Sequence, residues 1–306
     1  MITNYKKTDS DDIFHEIPEP ETGCWIHVDE ATSNDITQIA ELINVNYTDL
    51  HDCLDRYEIP RIERLDEHVI IFTRHPSKPE AGLYTATLTL ILTKDHFITI
   101  SPQKSFLIET FINQKPKIAT TQMSKLLIYI LLKITQEYTI KIKQIRAKVL
   151  HKEREMNQVE SKDITSLTVH EENLNQYLSS LVPLRNVLES MTSGRYTKLY
   201  EKDQDLLEDL LNASLQSEEI CSVNLRSIQS LRDSYQIIFT NQLNRTIKLL
   251  TALTIILSLP TMVASLYGMN VSLPFEKSDL AFSGIMLFTL GISLFAVYIF
   301  HKKKWL

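Results

Sequence analysis

Residues 249–270 read LLTALTIILSLPTMVASLYGMN, and no charged side chain interrupts them. A helix needs about 20 apolar residues to cross a hydrocarbon core of about 30 Å, and residues 249–267 meet that length. Residues 280–300 (LAFSGIMLFTLGISLFAVYIF) form a second uncharged run. A buried helix of a soluble protein is the alternative for either run taken alone. Two such runs, joined by a short segment 268–279 that holds Gly268, Asn270 and Pro274, point instead to a membrane hairpin.

Charge placement orients the hairpin. Arg245 and Lys248 precede the first run, and His301, Lys302, Lys303 and Lys304 follow the second. The connecting segment carries Glu276, Lys277 and Asp279. Basic flanks favour the cytoplasmic side, so both termini are expected in the cytoplasm and the loop outside. Tyr267 and Trp305 sit where aromatic side chains anchor at membrane interfaces. Residues 1–12 are polar and charged, without the apolar core of a secretory signal. The large N-terminal part is therefore expected to stay cytoplasmic, held to the plasma or inner membrane by its C-terminal end.

The chain has 306 residues and a formal charge of −6. From residue 249 onward there are four Lys against two acids, a net of +2, so the preceding part carries −8. That excess argues against a nucleic-acid partner, since phosphate binding wants a basic footprint. It suits cations as ligands or cargo. Cys24, Cys53 and Cys221 are odd in number and far apart, a pattern of neither a disulfide framework nor a zinc cluster. His15, His51, His68, His75 and His96 show no spacing of metal ligands, so no enzyme mechanism suggests itself.

Three regions follow from the pattern along the chain. Residues 1–120 are expected to form a cytoplasmic α/β domain. Within it, 24–28 (CWIHV), 68–73 (HVIIFT), 83–92 and 96–101 (HFITIS) read as strands, the last two as a hairpin across Lys94-Asp95. Ser33 is the expected cap of a helix through about Val45, and 106–112 suits another helix. Residues 121–247 lose Gly and Pro and read as long helices over about 122–160 and 163–191, with Pro183 expected to bend the second. Ser193-Gly194 reads as a turn. A further helix starts near Lys202. Between Ser217 and Tyr267 there is no Gly and one Pro, at 260, so this helix can run as a stalk into the first span. A helix that long with polar faces is expected to associate with copies of itself. Residues 248–306 are the two-span region.

The first span has a polar stripe. From Thr251, the residues Thr254, Ser258, Thr261, Ser265 and Gly268 recur every three or four positions, a period of about 3.5 that keeps them on one helical face. Asn244 lies one heptad earlier. In the second span Ser283, Thr289 and Ser293 are scattered, and Gly284 and Gly291 stand a heptad apart, a spacing that allows close helix contact. The stripe suits a dry helix–helix interface, or a wetted pore lined by about five copies of this face. In the second case neutral oxygens would carry the ion, because neither span holds an acid or base.

The stripe ends at Tyr267-Gly268-Met269-Asn270. Here the sequence resembles the CorA family of magnesium transporters, whose signature is Gly-Met-Asn at the end of the first of two C-terminal spans. The long helix before it, the short loop, the second span and the Lys-rich tail extend the resemblance. So do Asn241 to Thr254 (NQLNRTIKLLTALT) at the span's cytoplasmic end and Leu231 to Tyr235 (LRDSY) before it. The likeness is sharp from about residue 205.

The resemblance implies a funnel-shaped homopentamer whose first span lines a pore and whose second surrounds it. It implies an outer selectivity ring of Asn270, with Gly268 contributing its carbonyl and Met269 completing the motif. Asn244 would ring the cytoplasmic entrance. Ile247 and Leu250 would form an apolar gate, and Thr251, Thr254, Ser258 and Thr261 would line the space between. Asp209, within Glu208-Asp209-Leu210-Leu211-Asn212, aligns with an acid that binds regulatory Mg2+, although Asn212 stands where a second acid is expected and a solvated helix acid explains Asp209 equally well. Leu273 to Glu276 resembles the family's acidic loop, which places Glu276 and Asp279 at the outer mouth. Pro260 stands one position later than usual, Ser265 replaces a common Gly, and Ser258 occupies a position that is often apolar.

The implied cargo fits the chemistry. Mg2+ holds its waters tightly, and an amide oxygen accepts hydrogen bonds from that shell. A divalent charge gains about 4.6 kcal/mol across a 100 mV inside-negative potential. Transport of cobalt, nickel or zinc, including efflux, is the alternative, and a membrane-tethered scaffold is the alternative from another class.

Overall fold

The computed structural model describes residues 1–155, 159–194, 196, 201–271, 274 and 280–305. The chain divides into two compact units. One comprises residues 1–157 with 165–231, the other 158–164 with 232–306.

The first unit is built on a seven-stranded sheet. Its strands are β1 (Ile2–Lys6), β2 (His15–Ile17), β3 (Trp25–Val28), β4 (Arg61–Leu65), β5 (His68–Glu80), β6 (Leu83–Leu92) and β7 (Phe97–Ile100). They lie in the order β2-β1-β3-β7-β6-β5-β4. All neighbours are antiparallel except β3 and β7, which pair in parallel with Ile26 beside Ile98 and Val28 beside Ile100. The expected hairpin is present, with Leu92 beside Phe97.

Side-chain alternation along the strands gives the sheet two buried faces. Ile26, Val28, Ile98, Ile100, Ile70 and Phe72 pack against Ile36, Ile39 and Ala40 of α1 (Ser33–Leu42), Leu50 of the short α2 (Tyr47–Leu50) and Cys53 of the 3-10 turn that follows. The other face carries Trp25, whose ring meets Phe97 and Phe111. Phe111 belongs to α3 (Phe106–Asn113), and α4 (Met123–Glu155) lies against β5 and β6. Tyr138 of α4, fully buried, donates its hydroxyl to the Arg74 carbonyl at 3.1 Å.

Three details depart from the sequence expectation. The cap of α1 is Thr32, not Ser33. Asp35 returns a carboxylate to the Thr32 N–H at 2.9 Å and the Thr32 hydroxyl accepts from the Asp35 N–H at 3.3 Å, a reciprocal box that Ser33 could not share with Ile36. The helix ends at Leu42 because Asn44 takes a left-handed φ of 56°, letting the Val45 N–H reach the Ala40 carbonyl. Strand β5 continues past Thr73, since Arg74 is buried with its guanidinium bonded to Thr85, Thr87 and the carbonyls of Arg56 and Glu58.

The helices α4, α5 (Ser161–Thr192) and α6 (Glu201–Tyr267) match the expected long helical stretches. Pro183 lies inside α5, and Gly194 has a φ of 71° in the turn after it. Within the first unit these helices are cross-linked by polar pairs: Thr139 with Ser217 at 2.6 Å, Arg146 with Asn224 at 2.9 Å and Arg185 with Glu218 at 3.3 Å. Cys24, Cys53 and Cys221 are free and buried. Burial pushes the thiols of Cys53 and Cys221 up to about 12, so they are protonated packing groups rather than nucleophiles.

The second unit contains the C-terminal part of α6 and α7 (Ala281–Lys302). Both helices contain segments long and apolar enough to cross a membrane, each with a mean hydropathy of 2.0. Large apolar side chains on α7 face outward, among them Phe282, Leu287, Phe295 and Tyr298. In water such a surface would be unfavourable; in hydrocarbon it is the expected solvent-facing side.

Candidate functional site

α6 remains helical through Pro260 to Tyr267, and this continuity puts the polar stripe on one face. At about 100° per residue, Asn244, Ile247, Thr251, Thr254, Ser258 and Thr261 fall within an arc of about 100°. All six are exposed. Leu250, on the same side, is 66% exposed and Ile247 is 52% exposed. The opposite face carries Ala252, fully buried, and the half-buried Ile256, Leu259, Pro260 and Val263.

Three hydroxyls of the stripe are oriented. Thr254 donates to the Leu250 carbonyl at 2.8 Å and Thr261 to the Leu257 carbonyl at 3.1 Å. Ser258 donates to the Ile255 carbonyl at 2.9 Å. Each hydroxyl proton is thus turned back to its own helix, as threonine and serine often do in helices. What remains facing outward is oxygen lone pairs. A face that accepts but does not donate suits the hydrogens of a cation's water shell.

The stripe ends where the helix ends. The Gly268 N–H donates to the Ala264 carbonyl at 2.9 Å, and the Met269 N–H reaches the Leu266 carbonyl at 3.4 Å. Gly268, Met269 and Asn270 then leave the helix, all exposed. A Cβ on Gly268 would meet the Ala264 carbonyl oxygen at 3.4 Å, an ordinary contact, and Gly268 is not in the left-handed region. Its own chain therefore does not demand glycine there. Glu276 and Asp279 lie outside the described residues.

Asp209 stands elsewhere, on the exposed side of α6 in the first unit, beside Asp205 and Asn212 at helical spacing. Its inward neighbours Leu207, Leu210 and Ser214 are buried. Among the described residues no group of three or more His, Cys, Asp or Glu is placed to hold a metal ion within the chain.

α7 meets the non-striped face of α6. Between them lies a groove of about 690 Å³, lined by Leu259, Val263, Tyr267, Gly284, Phe288 and Ile292 among others. The close helix contact that the glycine spacing of the second span allows is not made within this chain among the described residues. A Cβ at Gly284 or Gly291 would meet nothing within 4 Å among the described residues. At its far end α7 closes with Lys304 at a φ of 57°, and Trp305 stacks on Phe300 with centroids 5.5 Å apart.

In the sequence Ser293 is one of three scattered hydroxyl residues of the second span. Its hydroxyl is buried and has no hydrogen-bond partner among the described residues.

Comparison with known proteins gives a consistent result. The family model described as CorA-like Mg2+ transporter protein matches residues 20–302. The cobalt/magnesium transport protein CorA of Methanocaldococcus jannaschii is 24% identical over 289 residues, covering 92% of this chain and 91% of that protein. The complete structure of the CorA magnesium transporter from Methanocaldococcus jannaschii superposes with a TM-score of 0.78 at 22% identity, covering 100% of this chain and 99% of that one. The full-length CmaX protein superposes with a TM-score of 0.70 at 16% identity, covering 96% and 97%. These likenesses show the fold.

Proposed function

The chain belongs to the CorA-like Mg2+ transporter family, and from that premise we propose that it carries hydrated Mg2+ across the plasma or inner membrane in a channel-like manner, driven by membrane potential. The observation that supports this most is the exposed stripe of α6, in which Thr254, Ser258 and Thr261 spend their hydroxyl protons on their own helix and turn lone pairs outward.

In this reading five copies assemble into a funnel, with the stripes facing a common axis and α7 outside them. Asn270 and the Gly268 carbonyl recognise the ion's water shell at the outer end. A glycine that its own backbone does not require keeps that carbonyl open to the pathway. Amide oxygens bind hydrated Mg2+ without stripping it, and binding that is not too tight lets the ion leave. Thr261, Ser258, Thr254 and Thr251 pass it inward, and Ser258 keeps the middle of the path wet. Leu250 and Ile247 form the apolar constriction, and Asn244 rings the cytoplasmic exit. Residues 248–306 are then the pore region with its loop 268–279 outside, 121–247 the long-helix region that couples to it, and 1–120 the cytoplasmic α/β domain. Glu276 and Asp279 concentrate cations at the mouth. Internal Mg2+ bound near Asp209 between subunits favours closure, and its loss lets the acidic domains repel.

The printed name of the Methanocaldococcus jannaschii relative includes cobalt, so Co2+ is the competing cargo to test. The deciding experiment is Mg2+ flux through purified protein in liposomes at low internal Mg2+, with Asn270→Ala beside it and Co2+ as competitor. Flux that Asn270→Ala abolishes supports the proposal. A parent protein with no flux would end it.

A further inference from the structure

Strand β1 pairs with β3 so that Tyr5 stands beside Trp25 and Thr3 beside His27. Cross-strand neighbours share a face of the sheet, here the face covered by α3. At the level of Tyr5 and Trp25 that interface is filled by rings: Trp25 lies 5.4 Å from Tyr5 and 6.1 Å from Phe111 of α3. At the next level, where Thr3 stands beside His27, a cavity of about 340 Å³ opens between strands and helix. That volume is near the lower end of the range of about 300–1,000 Å³ that holds small molecules.

The polar groups lining this cavity are not all satisfied. The His27 side chain is 9% exposed. Its Nδ1 lies 2.8 Å from Thr99 Oγ1. Its Nε2 makes no hydrogen bond among the described residues and stands 3.9 Å from Asp29 Oδ1, beyond hydrogen-bond reach. The Ser105 N–H donates to that same Oδ1 at 2.9 Å. The Asp29 carboxylate is thereby fixed, while its Oδ2 has no hydrogen bond among the described residues. A buried ring nitrogen and a fixed carboxylate oxygen thus line one cavity with valences to spare.

The charge of the lining selects the ligand. Glu30 and Glu109 add two carboxylates to Asp29. The two cations of the lining are engaged: the Met1 ammonium donates to the Asp29 carbonyl at 2.7 Å, and the Lys104 ammonium lies 5.4 Å from the centre of the Phe106 ring. Burial, then the charges of Glu16 and Asp29, push the Tyr5 phenol up, as a negative field does. A bare metal ion wants several convergent ligands, and no trio of His, Cys, Asp or Glu is placed to hold one among the described residues. A hydrated ion gains nothing from Ile108 and Ile112, which form the apolar wall on α3. Ammonium groups on a short alkyl chain match both the carboxylates and that wall.

We propose that this cavity is a binding site for a small aliphatic diamine. One ammonium is held by the Asp29 carboxylate and the Nε2 lone pair of His27, the chain lies against Ile108 and Ile112, and the second ammonium meets the exposed Glu109. In this arrangement Nδ1–H of His27 donates to Thr99, whose hydroxyl oxygen has two lone pairs and also accepts from Trp25. The site is independent of the transport reading.

The test is calorimetric titration of the full-length protein in detergent with 1,4-diaminobutane, with butylamine and with Mg2+. The diamine is expected to bind saturably, one per chain, and butylamine about fivefold more weakly, the worth of one exposed ion pair. Asp29→Asn keeps an acceptor for the Ser105 N–H but removes the charge, and both amines should bind at least about tenfold more weakly. Glu109→Gln should weaken the diamine about fivefold and leave butylamine unchanged. Glu41→Gln, an equal loss of charge on the exposed side of α1, should change neither. Absence of saturable diamine binding, equal weakening by Asp29→Asn and Glu41→Gln, or Asp29-dependent binding of Mg2+ in place of the amines would overturn the assignment. Should Asp29→Asn fail to fold, Glu109→Gln decides: a diamine affinity that it leaves at the parent's value, or an equal loss for both amines, removes the site.

Discussion

Thr254 gives its hydroxyl proton to the carbonyl of Leu250 at a distance of 2.8 Å. The pair ties a residue of the polar stripe to Leu250, a residue of the proposed apolar constriction one turn earlier on α6. It also fixes which part of Thr254 faces outward: an oxygen with free lone pairs.

Thr254→Val is nearly isosteric and removes only that oxygen. The helix loses a back-bond of little net worth, since such bonds slightly strain a helix. In the proposed assembly the pathway would lose an acceptor from every copy at once. Mg2+ flux is expected to fall about tenfold, the equivalent of about 1.4 kcal/mol in the barrier, while the unfolding midpoint stays within about 2 °C of the parent. A valine variant that conducts normally would show that this ring does not meet the ion's waters.

At Asn270 the informative comparison is alanine against aspartate. Alanine removes the proposed acceptor of the water shell, and flux should drop by about two orders of magnitude. Aspartate keeps an oxygen but adds charge, which holds a divalent ion more firmly. The expected signature is a lower half-saturating Mg2+ together with a lower maximal rate. Concentration-dependent liposome flux separates the two effects.

Asp209→Ala tests the regulatory half of the proposal. Asp209 is exposed and stands beside Asp205 and Asn212, so removing it should barely change stability. If it binds inhibitory Mg2+ between copies, the internal concentration that halves uptake should rise about tenfold. Unchanged inhibition would make it a solvated surface acid.

Inside the first unit, the Thr99 hydroxyl is a shared hydrogen-bond partner. The indole N–H of Trp25 donates to its hydroxyl oxygen at 3.0 Å, and Nδ1 of His27 lies 2.8 Å from the same atom. All three residues are buried. Thr99→Val keeps the shape and leaves two buried polar nitrogens without their partner, so a loss of about 2–4 kcal/mol is expected. Urea unfolding followed by Trp fluorescence measures it.

The hairpin, the polar stripe and the signature at its end were legible because membranes impose a length and a period that composition displays directly. The long helices were legible for the same reason: Gly and Pro are rare across them. Strand β1 was not. Its residues Ile2 to Lys6 are mostly polar, yet they pair with both β2 and β3, and backbone pairing leaves no hydropathy signal. Lys7 shows why polarity misled. It is buried, its ammonium bonded to the carbonyls of Asp12 and Pro116. Arg74 hid the second half of β5 in the same way. The face of α7 that meets α6 was also illegible, since α7 is apolar all round and a lipid-facing side chain looks like a packed one.

The buried histidines set a pH window for the first unit. Burial pushes His75 down to about 4, with Arg74 adding to the depression while the Pro76 carbonyl and Glu137 oppose it. Burial likewise pushes His27 down to about 4 against the opposing pull of Asp29. In the unfolded chain a histidine titrates at about 6.5. Between about 6.5 and about 4 the unfolded state therefore binds protons that the native state refuses, and native stability rises with pH across this window. Lowering the pH from 6.5 should destabilise the unit by up to about 1.4 kcal/mol per pH unit for each histidine, with the loss levelling off below about 4. Replacing His75 with Gln, which cannot charge, should remove roughly half of that slope even where it costs stability at neutral pH through the lost contact with Ser105. Urea midpoints of the full-length protein at several values between pH 4 and pH 7 give the slope. A His75→Gln variant with the parent's full slope would show that His75 does not hold back its proton in the native state.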